Sequence, residues 1–143
     1  MPKISVWIHL IWSTKYRNKT LTKELRELVF RHIRENAHQK NIRLECIGGA
    51  VDHVHVLVRP RPDQSIARLA QMIKGESSHW VNEQKLTRLR FEWQDEYMAV
   101  SVSPYDLPRV RSYIRNQEEH HRSKSFAEIL QRVLGNSDPL RGG

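Results

Sequence analysis

Cysteine is almost absent from this chain: Cys46 is the sole one in 143 residues. An intramolecular disulfide is therefore impossible, and a cysteine-rich zinc module is excluded. The composition suits a reducing compartment. Cys46 sits in an apolar-leaning stretch, which makes it a packing thiol rather than a reactive one. Long apolar runs are also missing. The opening MPKISVWIHLIWSTK is interrupted by His9 and Ser13, so it reads neither as a signal peptide nor as a membrane span. No internal repeat or low-complexity block occurs, and a cytoplasmic location is expected. Acidic residues are in deficit, 16 Asp and Glu against 24 Lys and Arg, for a formal net charge of +8. A surplus of that size favours a polyanionic partner, for which nucleic acid is the usual choice.

The length allows one domain with one modest core. We expect it to span residues 1–134, with 135–143 (GNSDPLRGG) a flexible tail. Residues 4–14 are rich in β-branched and aromatic side chains and predict a strand. The period then changes. Leu25, Leu28, Val29, Ile33 and Ala37 recur at helical steps across residues 22–40, behind Thr22 as a cap. Residues 42–47 and 51–58 alternate as strands, with Gly48 and Gly49 permitting a turn or bulge and Pro60 ending the second. Residues 64–86 return to helical spacing, weakened at Gly75. An extended region follows over 90–103, a helix from Leu107 to about His121, and a short helical pattern over 126–134. The order β, α, β, β, α, β, α predicts an α+β fold: a ferredoxin-like split βαβ sandwich with an antiparallel sheet and an added C-terminal helix. One sheet face would lie under helices, leaving the other for a site or a dimer contact.

Within the second hairpin strand stands Asp52-His53-Val54-His55. Side chains two apart share a strand face, so His53 and His55 point together while Val54 points away. Two neutral imidazoles on rigid backbone can hold a divalent metal. Two half-exposed strand histidines arising by chance are the other reading, and a third ligand is needed to decide. Asp52 on a regular strand faces the wrong way to ligate, but from a bulged position it could orient an imidazole.

Tyr113 and Gln117 lie four apart, on one face of the helix that begins at Leu107. A positioned tyrosine can attack a phosphodiester, and a glutamine oxygen can complete a metal site. Read alone, the same pair is an ordinary core-edge tyrosine and an exposed glutamine. His120 and His121, a turn further on, are phosphate contacts, accessory ligands or surface residues. Lys15 and Arg17, with Lys19, follow the first strand as candidate phosphate contacts or as a solvated loop, and Tyr16 between them could stack on a base. Lys74 could position a bound strand. Arg109, Arg111, Arg115 and Arg122 add charge around the tyrosine helix, with Arg115 among the candidate contacts. His9 reads either as a satisfied sheet histidine or as a neighbour of the histidine pair.

The blocks WSTKYR, GGAVDHVHVLV, MIKGESS, FEWQDEYMAVSVS and YIRNQEEHH, in this order, resemble the single-tyrosine transposases of the HUH superfamily, the IS200-like and REP-associated group. The resemblance implies a DNA transposase that cuts and rejoins single-stranded DNA through a 5′-phosphotyrosine link, at element ends bearing hairpins. It implies Tyr113 as nucleophile and His53, His55 and Gln117 as ligands of Mg2+, with Mn2+ able to replace it. It further implies a homodimer, associated with the nucleoid when bound to DNA. One departure stands out: Glu96 occupies a position where glycine is usual, which changes the local backbone or a DNA contact. Tyr97 beside it reads as a structural or DNA-contact residue. A hairpin-binding protein without transposition would keep the fold but lose Tyr113 or a ligand, and none is missing. A replication-initiation nuclease needs domains for which this chain has no room, and an RNA-binding ferredoxin-like module needs aromatic strand motifs that are absent.

Overall fold

A computed structural model describes residues 3–117. Its elements are β1 (Trp7–Ser13), α1 (Lys23–Gln39), β2 (Leu44–Gly49), β3 (His53–Val58), α2 (Ile66–Glu83), β4 (Met98–Val102) and α3 (Leu107–Arg115). The four strands form one antiparallel sheet in the order β2-β3-β1-β4, the ferredoxin-like arrangement. The short helix expected over 126–134 and the expected tail lie outside the described residues. Among the described residues, no helix is long and apolar enough to cross a membrane.

Period-two alternation in the two central strands separates two functions. Ile8, Leu10 and Trp12 of β1 and Val54, Val56 and Val58 of β3 enter the main core. There they meet Val29 and Ile33 of α1 and Leu69 and Ile73 of α2. The opposite face carries Trp7, His9 and Ile11 from β1 and His53, His55 and Leu57 from β3. A smaller cluster of Trp7, Cys46, Leu57, Leu107 and Ile114 seats α3 on that second face. The histidine face is therefore covered by the helix that carries Tyr113.

Capping explains where the long helices begin. Thr22 accepts the Leu25 backbone N–H at 3.3 Å, and Ser65 accepts that of Arg68 at 3.1 Å. Buried apolar positions in α1 fall on one stripe, Leu25, Val29, Ile33 and Ala37. The chain leaves α2 earlier than its apolar pattern predicts, since Lys85 takes the left-handed conformation at φ 53°.

Two expectations need correction. Gly48 and Gly49 do not form the hairpin turn. They are the last paired residues of β2, opposite His55 and Val54, and the turn closes beyond them where the Ala50 N–H reaches the His53 carbonyl at 3.0 Å. Nor is 90–103 one strand. Its first part is held by side chains: Asn82 exchanges two hydrogen bonds with the Phe91 backbone (2.7 and 2.9 Å), and Trp93 bridges to Thr14 while its indole N–H donates to Ser77 Oγ at 2.9 Å. Regular pairing begins only at Met98.

Candidate active site

The second sheet face gathers His9, His53 and His55 beneath Tyr113 and Gln117, all from one chain. His53, His55 and Gln117 are fully buried and His9 nearly so. Asp52, just ahead of β3, is not a strand residue, so its side chain is free of the alternation. Its Oδ1 lies 2.8 Å from His53 Nδ1. Its Oδ2 receives two donors from Arg17, Nη2 at 2.9 Å and Nε at 3.2 Å. Arg17 can reach because Tyr16 and Arg17 both adopt positive φ, 58° and 55°, in the tight turn after β1. Thr14 ties the same turn to Asp52 through its backbone N–H, 2.9 Å from the Asp52 carbonyl.

His55 is held from the neighbouring strand. Its Nδ1 is 2.8 Å from His9 Nε2, a diagonal contact set by the pairing of His9 with Leu57 and of Ile11 with His55. Burial lowers the His9 pKa to about 4, so that ring is neutral at cellular pH. Both hairpin histidines thus commit Nδ1 to a protein partner. Such partners fix ring orientation and tautomer and present Nε2 to a metal.

Gln117 closes the site over His53. Its Nε2 donates to the Tyr113 carbonyl at 2.9 Å, which turns its Oε1 toward His53 Nε2 at 3.2 Å. A neutral imidazole donates from one nitrogen only, and His53 Nδ1 faces a carboxylate. Nε2 and Oε1 are both atoms able to share a lone pair with a cation, and together they would hold one. A divalent cation, when bound, would take an imidazole nitrogen and an amide oxygen of this kind as ligands. Among the described residues, no three His, Cys, Asp or Glu side chains converge as a metal-binding group, and the Gln117 oxygen stands beside the histidine pair as a further donor. The Tyr113 ring stands edge-on to His55, with centroids 5.8 Å apart, and 6.5 Å from His9.

What lets α3 come so close is Gly48. A Cβ on that residue would overlap the Ile114 carbonyl, and Ile114 immediately follows Tyr113. Sequence reading gave this glycine to a turn or a bulge. Its role becomes visible only once the helix is known to cross β2.

The remaining candidates are dispersed. Lys15 pairs with Glu92 at 3.2 Å, which raises its pKa, and its ammonium lies 5.6 Å from the Tyr16 ring. Tyr16 is 80% exposed. Lys74 is turned to the 94–96 loop, where Nζ donates to the carbonyls of Gln94, Asp95 and Glu96 at 2.6, 2.9 and 3.2 Å. Burial lowers its pKa, partly opposed by Asp95. Glu96, in the usual glycine position, contributes its carbonyl to this clamp. Arg115 is exposed at the end of α3. His120 and His121 lie outside the described residues.

Comparison with known proteins agrees with this architecture. The family model described as "Transposase IS200 like" matches residues 3–117. The ISDra2 transposase TnpA of Deinococcus radiodurans is 28% identical over 116 residues, covering 78% of this chain and 83% of the relative. The transposase for insertion sequence element IS200 of Salmonella typhimurium is 26% identical over 117 residues, covering 78% and 76%. A crystal structure from Deinococcus radiodurans R1, assigned as a transposase, superposes with a TM-score of 0.66 at 25% identity over 82% of this chain and 94% of that one. A REP-associated tyrosine transposase solved bound to a REP hairpin shares the fold, with a TM-score of 0.62 at 14% identity over 85% and 72%. The chain belongs to the IS200-like transposase family, whose members cut and rejoin single-stranded DNA through a tyrosine.

Proposed function

We propose that Tyr113 is the nucleophile of this transposase, and that His53, His55 and Gln117 hold the divalent cation its chemistry requires, Mg2+ or Mn2+ in its place. The observation that carries this reading is the placement of Tyr113 and Gln117, four residues apart, above two histidines whose Nδ1 atoms are already engaged. When bound, the cation draws charge from a non-bridging phosphate oxygen. The residues of the chain do the rest. Asp52 and His9 orient the two imidazoles, and Gln117 is oriented by the Tyr113 carbonyl. Tyr113 Oη forms a bond to phosphorus as the bond to the 3′ oxygen breaks. The phenolic proton is transferred, in net terms, to that oxygen, leaving a free 3′ hydroxyl and a 5′-phosphotyrosine. Attack of a 3′ hydroxyl on the phosphotyrosine reverses the exchange. One phosphoester replaces another at each step, so rejoining needs no ATP.

The substrate we infer is single-stranded DNA whose ends bear hairpins, in keeping with the hairpin-bound protein that shares this fold. Lys15, half-buried beside Glu92, and the exposed Tyr16 and Arg115 are proposed DNA contacts, and His120 and His121 are proposed with them. Arg17 and Lys74 also have structural duties, so their contribution to DNA binding is a secondary one. We take the functional unit to lie within residues 1–134 and to act as a homodimer, with each Tyr113 above the histidines of its own chain in the arrangement described.

The test is a covalent adduct. End-labelled single strands from the flanks of the encoding gene are incubated with protein, with Mg2+ or with chelator, and run on denaturing gels. Wild type gives a labelled protein band only with metal, and Tyr113→Phe gives none. Tight hairpin binding on those flanks without any adduct would overturn the reading in favour of a binding protein.

A further inference from the structure

Beyond the site, the described residues hold an unusual group of cations at the far end of the histidine face. Trp7 lies one step past the last β1–β3 pair, Ile8 with Val58, and Arg59 faces it across the strands. The Arg59 guanidinium is 5.4 Å from the Trp7 ring centroid, and that of Arg111, from α3, is 5.5 Å from the same centroid. Arg43 and Arg61 stand nearby. These two spend their donors on carbonyls: Arg43 on those of Arg59 (2.9 Å) and Pro60 (2.7 Å), and Arg61 on that of Asn41 (3.1 Å). Arg59 and Arg111 do not. Among the described residues neither guanidinium has a hydrogen-bond acceptor or a carboxylate within ion-pair distance, and Arg59 Nε is buried with no acceptor.

Two like charges brought against one indole, with no carboxylate in ion-pair contact among the described residues, repel each other. A buried N–H without an acceptor adds a desolvation cost. An anion resolves both. The anion this fold meets is the phosphodiester backbone, which arginine binds through its planar fork of donors. Trp7 serves as the platform that holds both guanidinia in place. The location fits, because Arg59 is four residues from His55 along β3, about 13 Å by strand rise, on the same face. Arg111 is two residues before Tyr113. We propose that Arg59 and Arg111 form a phosphate-binding site for the DNA strand flanking the cleaved bond, a few nucleotides from Tyr113. This rests on the single-strand reading of the function but not on the metal.

The test measures equilibrium binding of fluorescein-labelled single-stranded oligodeoxythymidine, in chelator so that no cleavage intervenes, across a salt series. Proteins are wild type, Arg59→Gln, Arg111→Gln, the two matching Lys variants, and Arg31→Gln, an exposed arginine of α1 on the other side of the sheet. Each single-strand phosphate contact contributes about 0.7 to the slope of log affinity against log salt. Arg59→Gln and Arg111→Gln are expected to flatten the slope by roughly that amount and to weaken binding severalfold at low salt. The Lys variants are expected to retain most of the slope, and Arg31→Gln to leave it unchanged. Equal losses in all three Gln variants would mean a general charge effect and would overturn the site. So would unchanged slopes, or Lys variants as weak as Gln, which would assign the loss to packing on Trp7. Failure of wild type to bind overturns it too. None of these outcomes decides whether Tyr113 forms an adduct, so the two readings fail separately.

Discussion

Arg17 donates twice to one oxygen of Asp52, while the other oxygen of that carboxylate holds His53 Nδ1. The turn after β1 therefore controls the orientation of a proposed metal ligand on β3. Asp52 is buried, and Arg17 is the cation that accompanies it. Partners of this kind change metal affinity by about 10- to 100-fold when removed. Arg17→Ala and Asp52→Asn are expected to weaken Mn2+ binding within that range, read by the loss of the free-ion signal in electron paramagnetic resonance titration. Chelator-phase binding of single-stranded DNA by Asp52→Asn should stay near wild type. An unchanged Mn2+ affinity in both variants would remove Asp52 from any positioning role.

His9 makes the equivalent contact for His55, and it shows where sequence reading stops. The shared face of His53 and His55 follows from strand alternation, and the shared face of Tyr113 and Gln117 from helix spacing. Both are local relations, legible from residue numbers alone. The bond from His9 to His55 depends on register between strands 46 residues apart. Its replacement is informative for that reason. His9→Phe keeps a ring of similar size but leaves His55 Nδ1 without its partner. We expect Mn2+ affinity to fall about 10-fold or more, with the melting temperature reported alongside to separate loss of fold from loss of orientation.

The order of elements was legible too, because each long helix carries its own cap and stripe. What was not legible were the places where two elements touch. Gly48 and Gly49 look like turn residues, yet they are paired strand residues, since helix α3 and the start of β3 require bare backbone there. Arg17 reads from sequence as a phosphate contact or as part of a solvated loop. Its link to Asp52 needed two consecutive left-handed residues, neither of them glycine, which no propensity argument would assign.

Cys46 offers a check on the packing of α3. Burial pushes its thiol pKa up, while Arg115, Arg111 and Arg34 pull it down to a smaller extent. At a pH near the ordinary thiol value, less thiolate is present in the folded protein than in the unfolded chain, and the sulfur is covered. Reaction with a chromogenic disulfide reagent is expected to be at least about tenfold slower in native protein than in denaturant. A rate equal to that of the unfolded chain would mean that the cluster of Trp7, Leu57, Leu107 and Ile114 does not close over it.

Two glycines give opposite predictions under the same substitution. At Gly75, in the middle of α2, an added Cβ meets nothing within 4 Å. Alanine there removes backbone freedom from the unfolded chain without a clash, so Gly75→Ala is expected to stabilise the protein by about 0.5–1 kcal/mol. Adduct formation should be retained. At Gly48 the Cβ runs into the backbone carbonyl of Ile114, which no side-chain rotation can relieve. The helix must move off the sheet, carrying Tyr113 and Gln117 away from His55 and His53. Gly48→Ala is expected to cost roughly 1–3 kcal/mol, the usual range for overpacking, and to abolish the adduct even where the protein remains folded. Thermal melting and the denaturing gel separate the two effects. A Gly48→Ala protein that is folded and still forms the adduct at the wild-type rate would show that the tyrosine does not act from its seat above β2.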